Sequence, residues 1–368
     1  MRRYILVLVV ALSACAQRGD FTRVPEGTRI EATEAIFVGT TRKADDAGYG
    51  RERSDAASFL RYDIAIPADR DPGELTWPPR RGKPNVAKHF LTQQAMLFDG
   101  SQSFRSALRE AMRVRSQRDA VVYVHGFNTN MAEGVYRVAQ MHHDLKVPGV
   151  AVHYAWPSRG SALGYVYDRD SMLYSRSGFE DLLDEVAGAG AKDIILVAHS
   201  MGAALTMETL RQMALRGDSR ALDKVAGVIL ISPDLDLDVF RSQAKDIGEL
   251  PQPFVVFGSS RDRILGISAT ISGTGQRLGN LDSVAPIADL KVIYLDTAAY
   301  NTGDGHLNLG QNPALLSLFA GLLGIDEAFR ADARARVGLL PGLVLTVRNA
   351  TEVILAPVSR LSEAGGGR

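Results

Sequence analysis

Short apolar runs, rich in β-branched residues, recur along this chain with helix-spaced stretches between them, and that alternation leaves few architectures open. The runs lie at 36–40, 63–66, 120–124, 150–154, 194–198, 225–231, 254–257 and 292–295. Each is too short for a helix, and most are apolar at successive positions rather than every second one, as expected of strands buried on both faces. Helical spacing fills the intervals at 101–114, 132–145, 178–187, 201–213 and 239–246, with a further helix expected at 313–323. Strands alternating with helices predict an α/β class fold, a mostly parallel eight-stranded sheet with helices on both faces.

One junction carries chemistry. The run Ile194-Ile195-Leu196-Val197 leads into Ala198-His199-Ser200-Met201-Gly202, and an Ala-rich helix opens at Ala203. A serine at a sharp strand-to-helix turn is lifted above the sheet at a helix N-terminus, the arrangement of a nucleophile elbow. Small residues two positions either side let strand and helix approach; Gly202 supplies one, and Ala198 stands where glycine is commoner. The structural alternative for Ser200 is a plain helix N-cap.

A serine hydroxyl needs a base to take its proton, and in elbow-type hydrolases the histidine comes last in chain order. Only His306 follows Ser200. An acid must orient the imidazole. Asp262, just past the 254–257 run, is favoured because the penultimate strand most often delivers it; Asp234, one strand earlier, is the alternative acid, or else a cap for the helix begun near Leu237. Asp236, Asp296 and Asp304 are lesser candidates. Donors for a developing oxyanion are expected from the backbone N–H of Met201 and, after the apolar run Val121-Val122-Tyr123-Val124, from that of Phe127 in His125-Gly126-Phe127-Asn128. His125, Gly126, Asn128 and His199 are read as supporting residues. Tyr165, Tyr167, Asp168 and Tyr174 lie where a pocket or lid is often built, or simply pack beneath a long loop.

Composition bounds the partners. Lys plus Arg equal Asp plus Glu at 42 each among 368 residues, so the net charge is zero and nucleic acid is not expected. A single cysteine allows neither an internal disulfide nor a multi-thiolate metal site, and no metal or cofactor is implied. That residue, Cys15, ends Leu12-Ser13-Ala14-Cys15 after a basic start and an apolar run, the layout of an export signal. The tetrapeptide resembles the lipobox of bacterial lipoproteins, which implies acylation of Cys15 and a lipid-anchored place in the cell envelope; Ala16 after it points to the outer membrane facing the periplasm if the cell is Gram-negative. The chain then divides into a signal peptide (1–14), lipidated cysteine and polar tether (15–33), one catalytic domain (34–325), and an extension of unreadable role (326–368). The stretch 70–88 reads as a surface loop.

Together, Val38-Gly39-Thr40-Thr41-Arg42, Val124-His125-Gly126-Phe127-Asn128, Tyr154-Ala155-Trp156-Pro157-Ser158, Ala198-His199-Ser200-Met201-Gly202 and Ser232-Pro233-Asp234 resemble a bacterial branch of the α/β-hydrolase superfamily of unknown function. The resemblance spans about 36–323 and implies the α/β-hydrolase fold. The expected activity is hydrolysis of a carboxylic ester, a small-molecule or lipid acyl substrate, through an acyl-enzyme. An amidase, peptidase or acyltransferase would use the same residues, and a non-catalytic envelope lipoprotein that binds with a retired hydrolase fold is the alternative of another class.

Overall fold

The computed structural model describes residues 18–46, 48–79, 82–217, 219–273 and 275–298, and the backbone of Leu343–Asn349 and Glu352–Pro357. Its strands are β1 (Ala32–Asp45), β2 (Gly48–Ile66), β3 (Leu91–Leu97), β4 (Asp119–Val124), β5 (Val150–Tyr154), β6 (Asp193–His199), β7 (Val225–Ile231), β8 (Phe254–Gly258), β9 (Ile293–Asp296), β10 (Leu343–Asn349) and β11 (Glu352–Pro357). They form an 11-stranded sheet in the order β11-β10-β9-β8-β7-β6-β4-β5-β1-β2-β3. From β1 through β5, β4, β6, β7, β8 and β9 to β10 every neighbouring pair is parallel, while β1–β2, β2–β3 and β10–β11 are antiparallel. All eight expected runs lie in this sheet. The three strands that periodicity did not show sit at its margins. In β3, residues 93–97 are exposed and include two glutamines, so no apolar repeat marks the strand.

The described helices are α1 (Ser101–Arg115), α2 (Met131–Leu145), α3 (Tyr165–Tyr174), α4 (Arg176–Gly188), α5 (Met201–Arg216), α6 (Leu237–Ile247) and α7 (Arg263–Ser272). Side chains alternate across the sheet. Val122, Val124, Leu196, Ala198, Val228 and Leu230 meet the buried faces of α1, α4, α5 and α6, whereas Tyr123, Val197, Ile229, Ile231, Val255 and Phe257 share the opposite layer with α2. This two-sided burial is what keeps the central strands continuously apolar. The layered, mostly parallel sheet is that of an α/β-hydrolase. Helices α3 and α7 had no sequence expectation: the aromatic and β-branched residues of Tyr165–Tyr174, and the exposed Ile264, Ile267 and Ile271 of α7, hide the usual apolar stripe. Asp236, not Asp234, caps α6, its carboxylate accepting from the N–H of Asp238 and Val239 at 3.0 and 3.2 Å. The last turn of expectation, a helix at 313–323, lies outside the described residues.

Residues ahead of β1, in the stretch expected as a tether, lie against the domain. Phe21 stacks on Tyr62 with ring centroids 4.5 Å apart. The Val24 N–H donates to the Thr92 carbonyl at 3.0 Å, and the Thr92 N–H returns a bond to Thr22 at 2.8 Å. The 70–88 loop is anchored too. Arg70 forks onto Asp144 of α2, with side chains only 5% exposed on each partner. Burial alone would raise the Asp144 carboxyl, but hydrogen bonds from Arg70, Gln140 and the Gly73 N–H, with the charge of Arg70, hold it below the usual carboxylate range.

Because that carboxyl is depressed in the folded state, its contribution is fully present above the unfolded value of about 3.9 and is lost as pH falls through the lower folded value. Asp144→Ala strands a buried guanidinium and is expected to cost about 3–5 kcal/mol in denaturant unfolding at neutral pH. The gap from wild type should narrow below about pH 4; a gap independent of pH would mean that the ion pair is not its source.

Candidate functional site

The C-terminal ends of β4 to β8 open on one edge of the sheet, where an open α/β sheet presents its crevice. Ser200 stands there between the last residue of β6 and the first of α5, at φ 52° and ψ −121°. A non-glycine residue with positive φ is strained by about 1–3 kcal/mol and persists only where its surroundings hold it. Here they do: the Ser200 N–H donates to the Ile231 carbonyl at 2.9 Å, and the Ser200 carbonyl accepts from the N–H groups of Asp234 at 3.1 Å and Ala203 at 3.0 Å. The strand β7 and the start of α5 thus grip the turn from both sides.

Two glycines make the approach possible. A Cβ on Gly202 would stand 2.4 Å from the His125 carbonyl oxygen and 2.6 Å from that of Val124, so α5 begins in contact with the end of β4. A Cβ on Gly126 would stand 2.9 Å from Ser200 Cβ and 2.8 Å from His199 Nδ1. The Gly126–Phe127 segment is therefore laid directly against the serine.

The loop that follows is held at nearly every polar backbone atom. Asn128 sits at φ 57°, its N–H donating to the buried Asp168 carboxylate at 3.3 Å. Arg18 donates to its carbonyl at 2.9 Å and to its Oδ1 at 2.8 Å. The Thr129 N–H donates to Ser158 Oγ at 3.2 Å, the Thr129 carbonyl accepts from Arg42 at 2.9 Å, and Asn130 forms a capping box with Glu133 at the start of α2. Among the described residues, the N–H groups of Phe127 and Met201 have no acceptor.

Charge beneath this loop is unusual. Arg42 is 1% exposed and donates to the carbonyls of Gly50, Ser158 and Thr129. Burial pushes its guanidinium down to about 10 against the nearby carboxylates of Asp168 and Glu133, still far above neutrality. Burial in turn raises the Asp168 carboxyl, opposed by hydrogen bonds from Ser158, the Arg159 N–H and the Asn128 N–H and by the charge of Arg42. His125 stacks on Trp156 at 4.9 Å, with Nδ1 2.8 Å from the Gly126 carbonyl and Nε2 3.0 Å from that of Trp156. Burial, then the charge of Arg42, lowers its imidazole well below the ordinary value. Buried His153 is pushed down to about 3. A cavity of about 260 Å³ lies behind the loop, lined by Phe127, His199, Arg137, Tyr123 and Trp77 among others.

The two carboxylates weighed as the acid differ in what they already hold. Asp234 is engaged on every side: Arg277 Nε lies 3.2 Å from Oδ1, Tyr165 donates to Oδ2 at 3.0 Å, and Ser268 donates to Oδ1. Both side chains of the Arg277–Asp234 pair are 4% exposed. Asp262 caps α7, accepting from the Leu265 N–H at 3.0 Å, and is itself buried. Asp296 accepts from the Ala298 N–H at 2.9 Å. Of the aromatics, Tyr165 packs edge-on against Phe127, while Tyr167 is sandwiched by Arg53 and Arg159, and Tyr174 reaches Asp55. His306, Asp304 and Cys15 lie outside the described residues. Sequence reasoning missed Arg18, Arg42 and Arg277. For Arg42 the signal was its place in Thr40-Thr41-Arg42; for Arg18 and Arg277 no local pattern marks a partner so distant in the chain.

Fold and edge geometry together define an α/β-hydrolase. A family described as alpha/beta hydrolase of unknown function, DUF900, matches residues 100–309, and the chain belongs to it. No curated protein matches. Among solved structures the chain is similar to an inhibited esterase B from Lactobacillus rhamnosis (12% identity, 91% of this chain and 97% of that one, TM-score 0.37). It is also similar to Thermogutta terrifontis esterase 2 (14%, 83% and 99%, TM-score 0.35) and to a cutinase-like protein from Cryptococcus sp. (12%, 57% and 94%, TM-score 0.34). Similarity of this order carries nothing about substrate.

The strain at the turn is measurable. Ser200→Gly is expected to be more stable than Ser200→Ala by about 1 kcal/mol, because glycine alone accepts positive φ without cost. Equal unfolding midpoints for the two variants would show that the turn is relaxed.

Proposed function

We propose that the chain is a serine hydrolase that cleaves a carboxylic ester through an acyl-enzyme. Ser200 is the nucleophile, His306 the base that takes its proton and returns it to the leaving group, and Asp262 the acid that orients the imidazole. The N–H groups of Phe127 and Met201 hold the oxyanion. The observation that carries the reading is the positive-φ serine between β6 and α5, with Gly126 packed against its Cβ. A hydroxyl in that position stands at a helix N-terminus beside two N–H groups lacking acceptors among the described residues, where negative charge developing on a substrate oxygen would be stabilised.

Asp262 is preferred to Asp234 on chemical grounds. A carboxylate already neutralised by a buried guanidinium and two hydroxyls, as Asp234 is, has little charge left with which to stabilise an imidazolium. Arg277, Ser268 and Tyr165 make that carboxylate a brace between β7, α3 and α7. The substrate is read as a small-molecule or lipid acyl ester, and the protein as an envelope lipoprotein carried on acylated Cys15. Among the described residues no helix is long and apolar enough to cross a membrane.

A fluorophosphonate probe is expected to label the wild-type chain and neither Ser200→Ala nor, at a comparable rate, His306→Ala. Absence of labelling in the wild type would favour a binding protein built on a hydrolase fold. On p-nitrophenyl esters, Asp262→Asn should reduce kcat by at least about a hundredfold with little change in Tm. Asp234→Asn should instead lower Tm by several degrees, since it leaves Arg277 buried and unpaired. The reverse ranking of the two variants would transfer the acid's role to Asp234.

A further inference from the structure

Arg18 precedes every described element of the fold, yet its side chain ends at the loop beside Ser200. We infer that Arg18 is a positioning residue for the proposed oxyanion donor at Phe127, and that the N-terminal segment is in this way part of the active site; the inference rests on the hydrolase reading above.

The geometry is specific. Arg18 Nη1 donates to Asn128 Oδ1 at 2.8 Å, and Nη2 donates both to the Asn128 carbonyl at 2.9 Å and to Glu133 Oε2 at 2.6 Å. Glu133 Oε1 accepts from the Gly19 N–H at 3.0 Å, and Asn130 Nδ2 donates back to the Gly19 carbonyl at 2.9 Å. Five hydrogen bonds therefore join residues 18–19 to 128–133, across more than 100 positions of sequence. A bidentate, planar guanidinium fixes both the direction and the distance of what it holds.

What it holds is the left-handed residue of the loop. Asn128 at φ 57° would relax toward negative φ without constraint. Its N–H is fixed from below by Asp168, and its carbonyl and side chain are fixed by Arg18. Rotation of Asn128 would turn the Phe127–Asn128 peptide, and that turn, carried back through Phe127, would shift the Gly126–Phe127 peptide, and with it the Phe127 N–H, from its place against Ser200. Glu133 shows the same economy: one carboxylate caps α2 through the Asn130 N–H and receives Arg18 and Gly19. Arg18 touches neither Ser200 nor the proposed donor itself, so its effect is exerted through Asn128.

The experiment uses the full chain, comparing wild type, Arg18→Ala and Arg18→Lys. Loss of alignment at one oxyanion donor is expected to lower kcat for a p-nitrophenyl ester by about 10–100-fold in Arg18→Ala, with KM changed less than about twofold and fluorophosphonate labelling slowed in proportion. Guanidinium ion at millimolar concentration should restore part of the loss in Arg18→Ala and none in wild type. Arg18→Lys keeps the charge toward Glu133 but cannot span both Asn128 oxygens, so it should fall between the two. Equal labelling rates in wild type and Arg18→Ala overturn this inference and leave the hydrolase reading standing, whereas no labelling of the wild type overturns both. If Arg18→Ala does not fold, a kcat for Arg18→Lys equal to that of wild type overturns the inference.

Discussion

The close approach of α5 to the end of β4 is the constraint on which the rest of the site depends. With a hydrogen at position 202 the helix can start against two carbonyl oxygens, and with a hydrogen at position 126 the next loop can lie on the serine. Any side chain larger than that would push the two elements apart and dissolve the turn. The strained φ of Ser200 follows from this contact: the chain has to reverse within one residue, and the bonds to Ile231 and Asp234 keep it reversed.

Around that contact the protein places fixed charge where an exposed loop would ordinarily rely on water. Arg42, sealed from solvent, gives its hydrogen bonds to three carbonyl oxygens rather than to a carboxylate, and Asp168 spends its oxygens on N–H and hydroxyl groups of the same neighbourhood. Opposite charges thus sit together beneath the 125–130 loop, each spent on hydrogen bonds to the loop and its neighbours. A loop whose carbonyls face a guanidinium and whose N–H groups face a carboxylate has few alternative conformations of similar energy. The same burial lowers the imidazoles of His125 and His153 below the ordinary histidine value.

How far the chain could be read in advance followed the range of the interactions. The central strands announced themselves because burial on both faces leaves no room for polar residues, and the turn at Ser200 did so because strand, small residue and helix are contiguous. Margins were harder. β3 exposes Gln93 and Gln94, and α7 exposes three isoleucines, so neither carries the polarity pattern of its own type. Asp236 rather than Asp234 caps α6, a difference of two residues that local spacing alone does not resolve. The ties of Arg18 to Asn128, of Arg42 to Thr129 and of Arg277 to Asp234 join residues far apart in the chain, and sequence shows only that arginines are present. Within the family assignment, His306 and Cys15 rest on sequence alone.

The partners that shape the 125–130 loop come from position 18, from position 42 and from positions 158 and 168. Such a loop cannot be prepared locally while the chain is being built. Its conformation awaits closure of segments separated by up to 110 residues, and closures of that length come late because their entropic cost falls due before the contacts that reward it. The loop beside Ser200 would then be complete only once the domain has assembled from Arg18 to the helix beyond β5, and a partly folded chain would carry the serine without the cradle beside it.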